Sequence, residues 1–305
     1  MRETPVTPEF LANSVIAVPP LARDANSKIC SSENQKIIRH LESGGVSTLL
    51  YGGNAILYHV ALSEYTGLLE MLQENAGETT MVIPSVGPAY GLMMDQARIL
   101  REFSFPTAMI LPQRDLCTPD GLATAVRNFV DVFGRPAVLY IKHDNWIDVP
   151  TVAKLMNDGC LSWIKYAIVR DDPTNDDFLE ELCQEVTPAQ IVSGIGEQPA
   201  IAHLQSFGLG SFTSGCVCVA PRLSMTMLEA LKAGRLPEAE QIREQFAELE
   251  GLRNSINPIR VLHRALSLAG IAETGPITPL LSELPPETIS EVESAARKLL
   301  GLEQS

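Results

Sequence analysis

Basic residues are scarce in this chain, and long apolar runs are absent. Against 37 acidic residues stand only 23 basic ones, a net charge of −14. Binding to nucleic acid or to an anionic membrane needs clustered Lys and Arg, so neither is expected as the main partner. No apolar stretch approaches the length of a membrane span. The N-terminal MRETPVTPEF lacks the basic-then-apolar layout of a signal peptide, and a cytoplasmic protein is expected. There is no HExxH, no CxxC pair and no Walker-type loop, so no metal and no dissociable cofactor is expected. Six cysteines are scattered at 30, 117, 160, 183, 216 and 218. Only Cys216 and Cys218 are close, and a CxC inside an apolar run makes a poor metal clamp and a strained disulfide. All six are read as reduced, most of them in the core.

What is present is a 305-residue chain with 45% hydrophobic and 20% charged residues, enough for one large barrel or two ordinary domains. Eight apolar, strand-like runs recur: SVIAV, VSTLLY, TTMVIPSVG, PTAMIL, PAVLYIK, LSWIKYAIV, AQIVSG and GSFTSGCVCVA. Most are followed by a stretch of helical periodicity, as in Asp120 to Phe133 and Val149 to Asn157. Strands alternating with helices predict parallel βαβ units, and eight of them predict a closed (β/α)8 barrel. An open doubly wound sheet is the rival, but the first turn, PPLARDANSK, carries no GxGxxG. Beyond roughly residue 225 the chain reads as three helices, broken at Asn257-Pro258 and by a Pro-rich connection from Gly275 to Pro286. The expected organisation is a loose arm over 1–13, a barrel over 14–224 and a helical domain over 225–305.

Barrel active sites lie at the C-terminal ends of the strands, which turns position into a site list. Lys165 is the single charge in LSWIKYAIV. Desolvated among apolar and aromatic neighbours, its amine would lose its proton readily and attack carbonyls. The blander alternative is a strand-end lysine whose stem covers apolar surface while its head reaches water. Tyr140 ends the preceding strand, where a phenol can shuttle protons to a carbinolamine. Its alternative is a core tyrosine satisfied by one hydrogen bond. Gly52, Gly53 and Asn54 follow strand two, Arg114 follows strand four, Ser193 closes strand seven and Ser214 sits in strand eight. Small hydroxyls fill barrel ends routinely, so the two serines are equally well read as packing. The turn Ser193-Gly-Ile-Gly196 offers a cradle for an anion.

These segments together resemble the dihydrodipicolinate synthase / N-acetylneuraminate lyase family of class I Schiff-base aldolases. The Tyr140 of strand five precedes Lys165 of WIKYA by 25 positions, IVSGIGE and FTSGCVCVAPRL follow, and NPIRVLHRALSLAGI resembles the family's C-terminal helix. The resemblance spans about Val15 to Leu302. It implies a (β/α)8 barrel with a three-helix C-terminal domain, Lys165 as the imine-forming residue, Tyr140 as proton shuttle and a homotetramer.

Departures from the family pattern narrow the activity. The strand-two GTTGE loop that grips the keto-acid carboxylate is here GGNAILYH, leaving Asn54 and the amides of Gly52 and Gly53 for that role. The tyrosine after strand four is replaced within LPQRDL, and strand five continues as YIKHDN without the synthase's arginine. A polar site made for one substrate rejects analogues that leave its groups unpaired. The expected activity is therefore an aldolase or dehydratase acting on a 2-keto acid, in particular a 2-keto-3-deoxy sugar acid. Arg114, Ser193 and Ser214 would meet the distal end of that substrate. The synthase reaction itself, from pyruvate and aspartate semialdehyde, and a non-catalytic binding barrel are the alternatives.

Overall fold

The computed structural model describes residues 1–304. Eight parallel strands close in chain order into a barrel: β1 (Ile16–Ala17), β2 (Thr48–Tyr51), β3 (Met81–Val86), β4 (Ala108–Ile110), β5 (Ala137–Ile141), β6 (Leu161–Tyr166), β7 (Ile191–Ser193) and β8 (Ser211–Ser214). Helix α1 (Pro8–Ala12) precedes them. The barrel helices are α2 (Ser31–Ser43), α3 (Leu62–Asn75), α4 (Tyr90–Leu100), α5 (Pro119–Phe133), α6 (Val149–Asn157), α7 (Asp177–Glu185), α8 (Ala200–Phe207) and α9 (Pro221–Lys232). Strands of an all-parallel sheet are covered on both faces, which is why the runs in β2, β3 and β5 are buried at every position. Side-chain caps fix several helix starts. Thr118, Asp148 and Asp176 accept a backbone N–H at the first turns of α5, α6 and α7.

Three C-terminal helices follow, α10 (Leu236–Ser255), α11 (Pro258–Leu268) and α12 (Pro286–Glu303). Asn257 breaks α10 from α11 and caps the latter, accepting from the N–H groups of Ile259 and Arg260 at 3.1 Å. Two buried carboxylates fasten this unit to the barrel. Glu303 accepts the N–H groups of Arg222 and Leu223 at 2.9 Å, at the N-terminus of α9. Glu250 of α10 accepts those of Glu197 and Gln198 at 3.0 Å. The Glu303 site is the first turn of α9, where free N–H groups favour negative charge, whereas the Glu250 site is the loop before α8, where burial and the neighbouring Glu197 push the Glu250 carboxyl up.

Three expectations differ in detail. The first thirteen residues are not loose: Thr7 caps α1, the Arg2 N–H donates to Thr80 O at 2.8 Å, and the Arg2 guanidinium stacks 4.3 Å from the Phe10 ring centre. Strand eight stops at Ser214, and Cys216–Cys218 form a 3₁₀ turn, so an apolar run over 210–220 marks burial rather than extension. A boundary between 224 and 225 falls inside α9, which packs against α2 and α8 and completes the barrel's helical ring. Among the described residues no helix is long and apolar enough to cross a membrane.

Candidate active site

Lys165 occupies the penultimate position of β6, in register with Tyr140 on β5 and Val192 on β7. Strand alternation turns it into the barrel mouth and turns Tyr166 outward, where the phenol ring stacks on Phe178 of α7. The lysine is only 6% exposed, and among the described residues no carboxylate pairs with its ammonium. Burial, helped by the charges of Lys142 and Arg253, lowers its pKa to about 7. Its Nζ lies 4.4 Å from the centre of the Tyr140 ring. Burial pushes the Tyr140 phenol up to about 12, with Arg253 pulling the other way, so the hydroxyl stays protonated and able to donate.

The position depends on a close approach between strands. A Cβ on Gly194 would lie 2.7 Å from the Ala167 Cβ, 2.8 Å from Tyr166 O and 3.0 Å from Lys165 Cγ. Only glycine lets the end of β7 pass beside the lysine stem without displacing it.

Around these two side chains is a cavity of about 260 Å³. Gly52, Gly53 and Asn54 form its wall after β2, Met109 comes from β4, and Thr213 and Gly215 come from the end of β8. The turn after β2 uses its carbonyls internally: Ile56 N–H donates to Gly53 O at 2.9 Å and Leu57 N–H to Gly52 O at 3.1 Å. Asn54 is held by an amide hydrogen bond to Val18 O at 2.9 Å. Ile56, a β-branched residue, sits at φ 55° in the left-handed region, a strain of about 1–3 kcal/mol in the loop that shapes this wall.

Five of the expected site residues, Lys165, Tyr140, Gly52, Gly53 and Asn54, thus meet at one cavity. Three do not. Ser193 is paired in register with outward-facing Tyr166, and its Oγ lies 2.8 Å from His203 Nδ1 behind the barrel wall. Ser214 follows the cavity-lining Thr213, so alternation sends it to the opposite face, where it donates to Glu197 Oε2 at 2.7 Å. Arg114 is exposed on its loop, 3.8 Å from Asp115, and lines a neighbouring cleft of about 690 Å³ that shares Lys142, Ala167 and Val169 with the lysine cavity. The anion cradle of the Ser193–Gly196 turn is filled from within. Glu250 accepts the Glu197 and Gln198 amides, and a Cβ on Gly196 would collide with its Oε1.

Two contributors escaped the sequence reading. Tyr58, on the turn after β2, brings a second phenol to the cavity, with its pKa raised by burial and by Tyr140. Arg253, in the last turn of α10, reaches across from the C-terminal helices into the barrel mouth. Its Nη1 donates to Ile195 O at 2.9 Å and lies 3.6 Å from Glu250. No strand-end rule marks a helix residue of this kind. The break at Asn257-Pro258 shows where α10 ends but not which face it turns to the barrel.

The sequence model of the Dihydrodipicolinate synthetase family matches residues 12–296. The chain is 24% identical over 259 residues to the "Probable 5-dehydro-4-deoxyglucarate dehydratase" of Xanthobacter autotrophicus, covering 82% of each chain. It is 22% identical over 296 residues to the 4-hydroxy-tetrahydrodipicolinate synthase of Corynebacterium diphtheriae, covering 95% of this chain and 94% of that one. The fold superposes on the crystal structure of dihydrodipicolinate synthase from Bacillus clausii with a TM-score of 0.83 at 20% identity, over 97% of this chain and 99% of that one.

Proposed function

This chain belongs to the dihydrodipicolinate synthetase family, and on that premise we propose that it is a Schiff-base-forming lyase, an aldolase or dehydratase, acting on a 2-keto acid of the 2-keto-3-deoxy sugar acid class. The observation that carries the reading is the Lys165–Tyr140 pair: an amine with its pKa lowered to about 7, 4.4 Å from the ring of a phenol on the adjacent strand, inside a cavity. The amine attacks the C2 carbonyl, and the carbinolamine loses water as the phenol relays a proton to the departing hydroxyl. The iminium then takes up the electron pair released at C3, by loss of a C3 proton in dehydration or by C3–C4 cleavage in aldol chemistry. In dehydration the C4 hydroxyl leaves next, as water. The Gly53 and Asn54 amides and the Asn54 side chain are suited to hold the carboxylate beside the keto group, where Tyr58 is a further hydroxyl within the same cavity.

Similarity to a 5-dehydro-4-deoxyglucarate dehydratase supports the sugar-acid class. Similarity to a 4-hydroxy-tetrahydrodipicolinate synthase keeps the condensation of pyruvate with aspartate semialdehyde as a second reading. Borohydride reduction in the presence of pyruvate or 5-dehydro-4-deoxyglucarate is expected to attach the keto acid covalently to Lys165, located by peptide mass spectrometry. Lys165→Ala is expected to abolish the label. Absence of labelling with every keto acid tried sinks the lyase reading in favour of a binding barrel. Consumption of aspartate semialdehyde alongside pyruvate moves the assignment to the synthase.

A further inference from the structure

We infer that Arg253, with Lys142 beside it, is the receptor for a second carboxylate, and that the substrate is a 2-keto dicarboxylate rather than a keto acid with a neutral tail. The inference rests on the Schiff-base reading for which end of the substrate sits at Lys165, and on the cavity wall for the rest.

Every charged side chain that lines the cavity is basic: Lys142, Lys165 and Arg253. In a chain of net charge −14 that local excess is against the overall composition. The nearby carboxylates are committed elsewhere. Glu197 accepts the hydroxyls of Ser214 and Ser224 at 2.7 Å behind the wall, and Glu250 holds the amides of Glu197 and Gln198. Arg253 meets Glu250 only at 3.6 Å through Nη1, the nitrogen that also donates to Ile195 O. Its Nε is buried without a partner, and Nη2 makes no hydrogen bond to the protein among the described residues. A buried guanidinium donor left unpaired is unfavourable, and a planar carboxylate offers two acceptor oxygens that match it.

The topology separates this receptor from the one for the first carboxylate. Gly52, Gly53 and Asn54 follow β2, whereas Arg253 is tied to Ile195, just past β7. In the closed ring β8 and β1 lie between them, and Lys165 on β6 stands four strands from β2. One carboxylate cannot serve both sectors while its adjacent ketone meets Lys165, so two anionic receptors call for a dianion. The fixed orientation of Arg253 has its own cause, since Glu250 one turn earlier anchors α10 on the loop after β7.

The test compares 2-oxoadipate with 2-oxohexanoate, two keto acids of equal length that differ by a terminal carboxylate in place of a methyl group. Borohydride labelling of Lys165 is expected to half-saturate at concentrations lower by about tenfold or more for 2-oxoadipate. Arg253→Met is expected to collapse that ratio toward unity, and Arg253→Lys to restore part of it. Equal half-saturation of the two acids by the wild-type protein overturns the inference. So does an Arg253→Met protein that weakens both acids alike, which would mark a purely structural arginine. Failure of all labelling removes the imine and leaves the receptor testable by thermal shift with adipate against hexanoate, neither of which has a ketone. A rise in melting temperature with adipate that Arg253→Met removes supports the receptor, and no rise with adipate overturns it.

Discussion

At the scale of single residues, Lys165 is held in the fold at an energetic disadvantage, and that disadvantage can be measured. Its pKa is about 7 in the folded protein against an ordinary 10.5, because burial disfavours the ammonium form. Between those values the unfolded chain binds a proton that the native lysine has released, so stability rises with pH across that window. Below pH 7 the native side chain must be protonated inside the cavity and the whole penalty applies. Lys165→Met, an unbranched side chain one atom shorter and without the charge, is therefore expected to be more stable than wild type by up to about 4 kcal/mol at pH 7. The difference should shrink to about 1 kcal/mol or less by pH 10. Urea unfolding at both pH values checks this, and wild-type labelling by pyruvate should be half-developed near pH 7 and level off about one pH unit higher. Equal stability of the two proteins at pH 7 would mean a hydrated ammonium, and the nucleophile would lose its physical basis.

Among the elements, β7 and α8 show what strand parity hides. Ser193 does lie at a strand end, as its position in the sequence predicts, but a hydroxyl one position along a strand faces the other side of the wall. The sequence places such ends to within a residue or so, which locates a cavity and leaves the facing of each residue open. Lys165 escaped this ambiguity because its chemistry singled it out, and Tyr140 because it shares a register position with the lysine. Ser193 instead ties its strand to the next helix through His203, whose pKa burial lowers to about 4. Unfolded histidine binds its proton near pH 6.5, so the stability that depends on a buried, neutral His203 is complete above that value and is lost as pH falls through about 4. Ser193→Ala is expected to destabilise the protein by about 1–3 kcal/mol through the unpaired ring nitrogen, while KM for the keto acid stays within about twofold. Steady-state kinetics beside denaturant unfolding separate the two effects, and a large rise in KM would return Ser193 to the substrate.

For the whole molecule, the closed ring was legible because eight apolar runs with intervening helices admit few other parallel arrangements. The seam between barrel and C-terminal helices was less so, since periodicity shows that α9 and α10 are helices without showing which ring they complete. That seam is dense. Glu303 caps α9, Glu250 caps the loop before α8, and Arg253 crosses into the mouth, all from one side of it. Detaching the C-terminal helices would leave four buried or half-buried barrel-side amides without their acceptors, those of Arg222 and Leu223 from Glu303 and those of Glu197 and Gln198 from Glu250. The energetic consequence is that the barrel and the helical unit should unfold as one. The protein supplies its own reporter, because both tryptophans, Trp146 and Trp163, lie in the barrel and are buried. Tryptophan fluorescence reads the barrel alone, whereas far-ultraviolet circular dichroism also reads α10, α11 and α12. In urea the two midpoints are expected to coincide. A dichroism transition that precedes the fluorescence change would show the C-terminal helices leaving first, and Arg253 would then belong to a detachable cover rather than to the wall of the cavity.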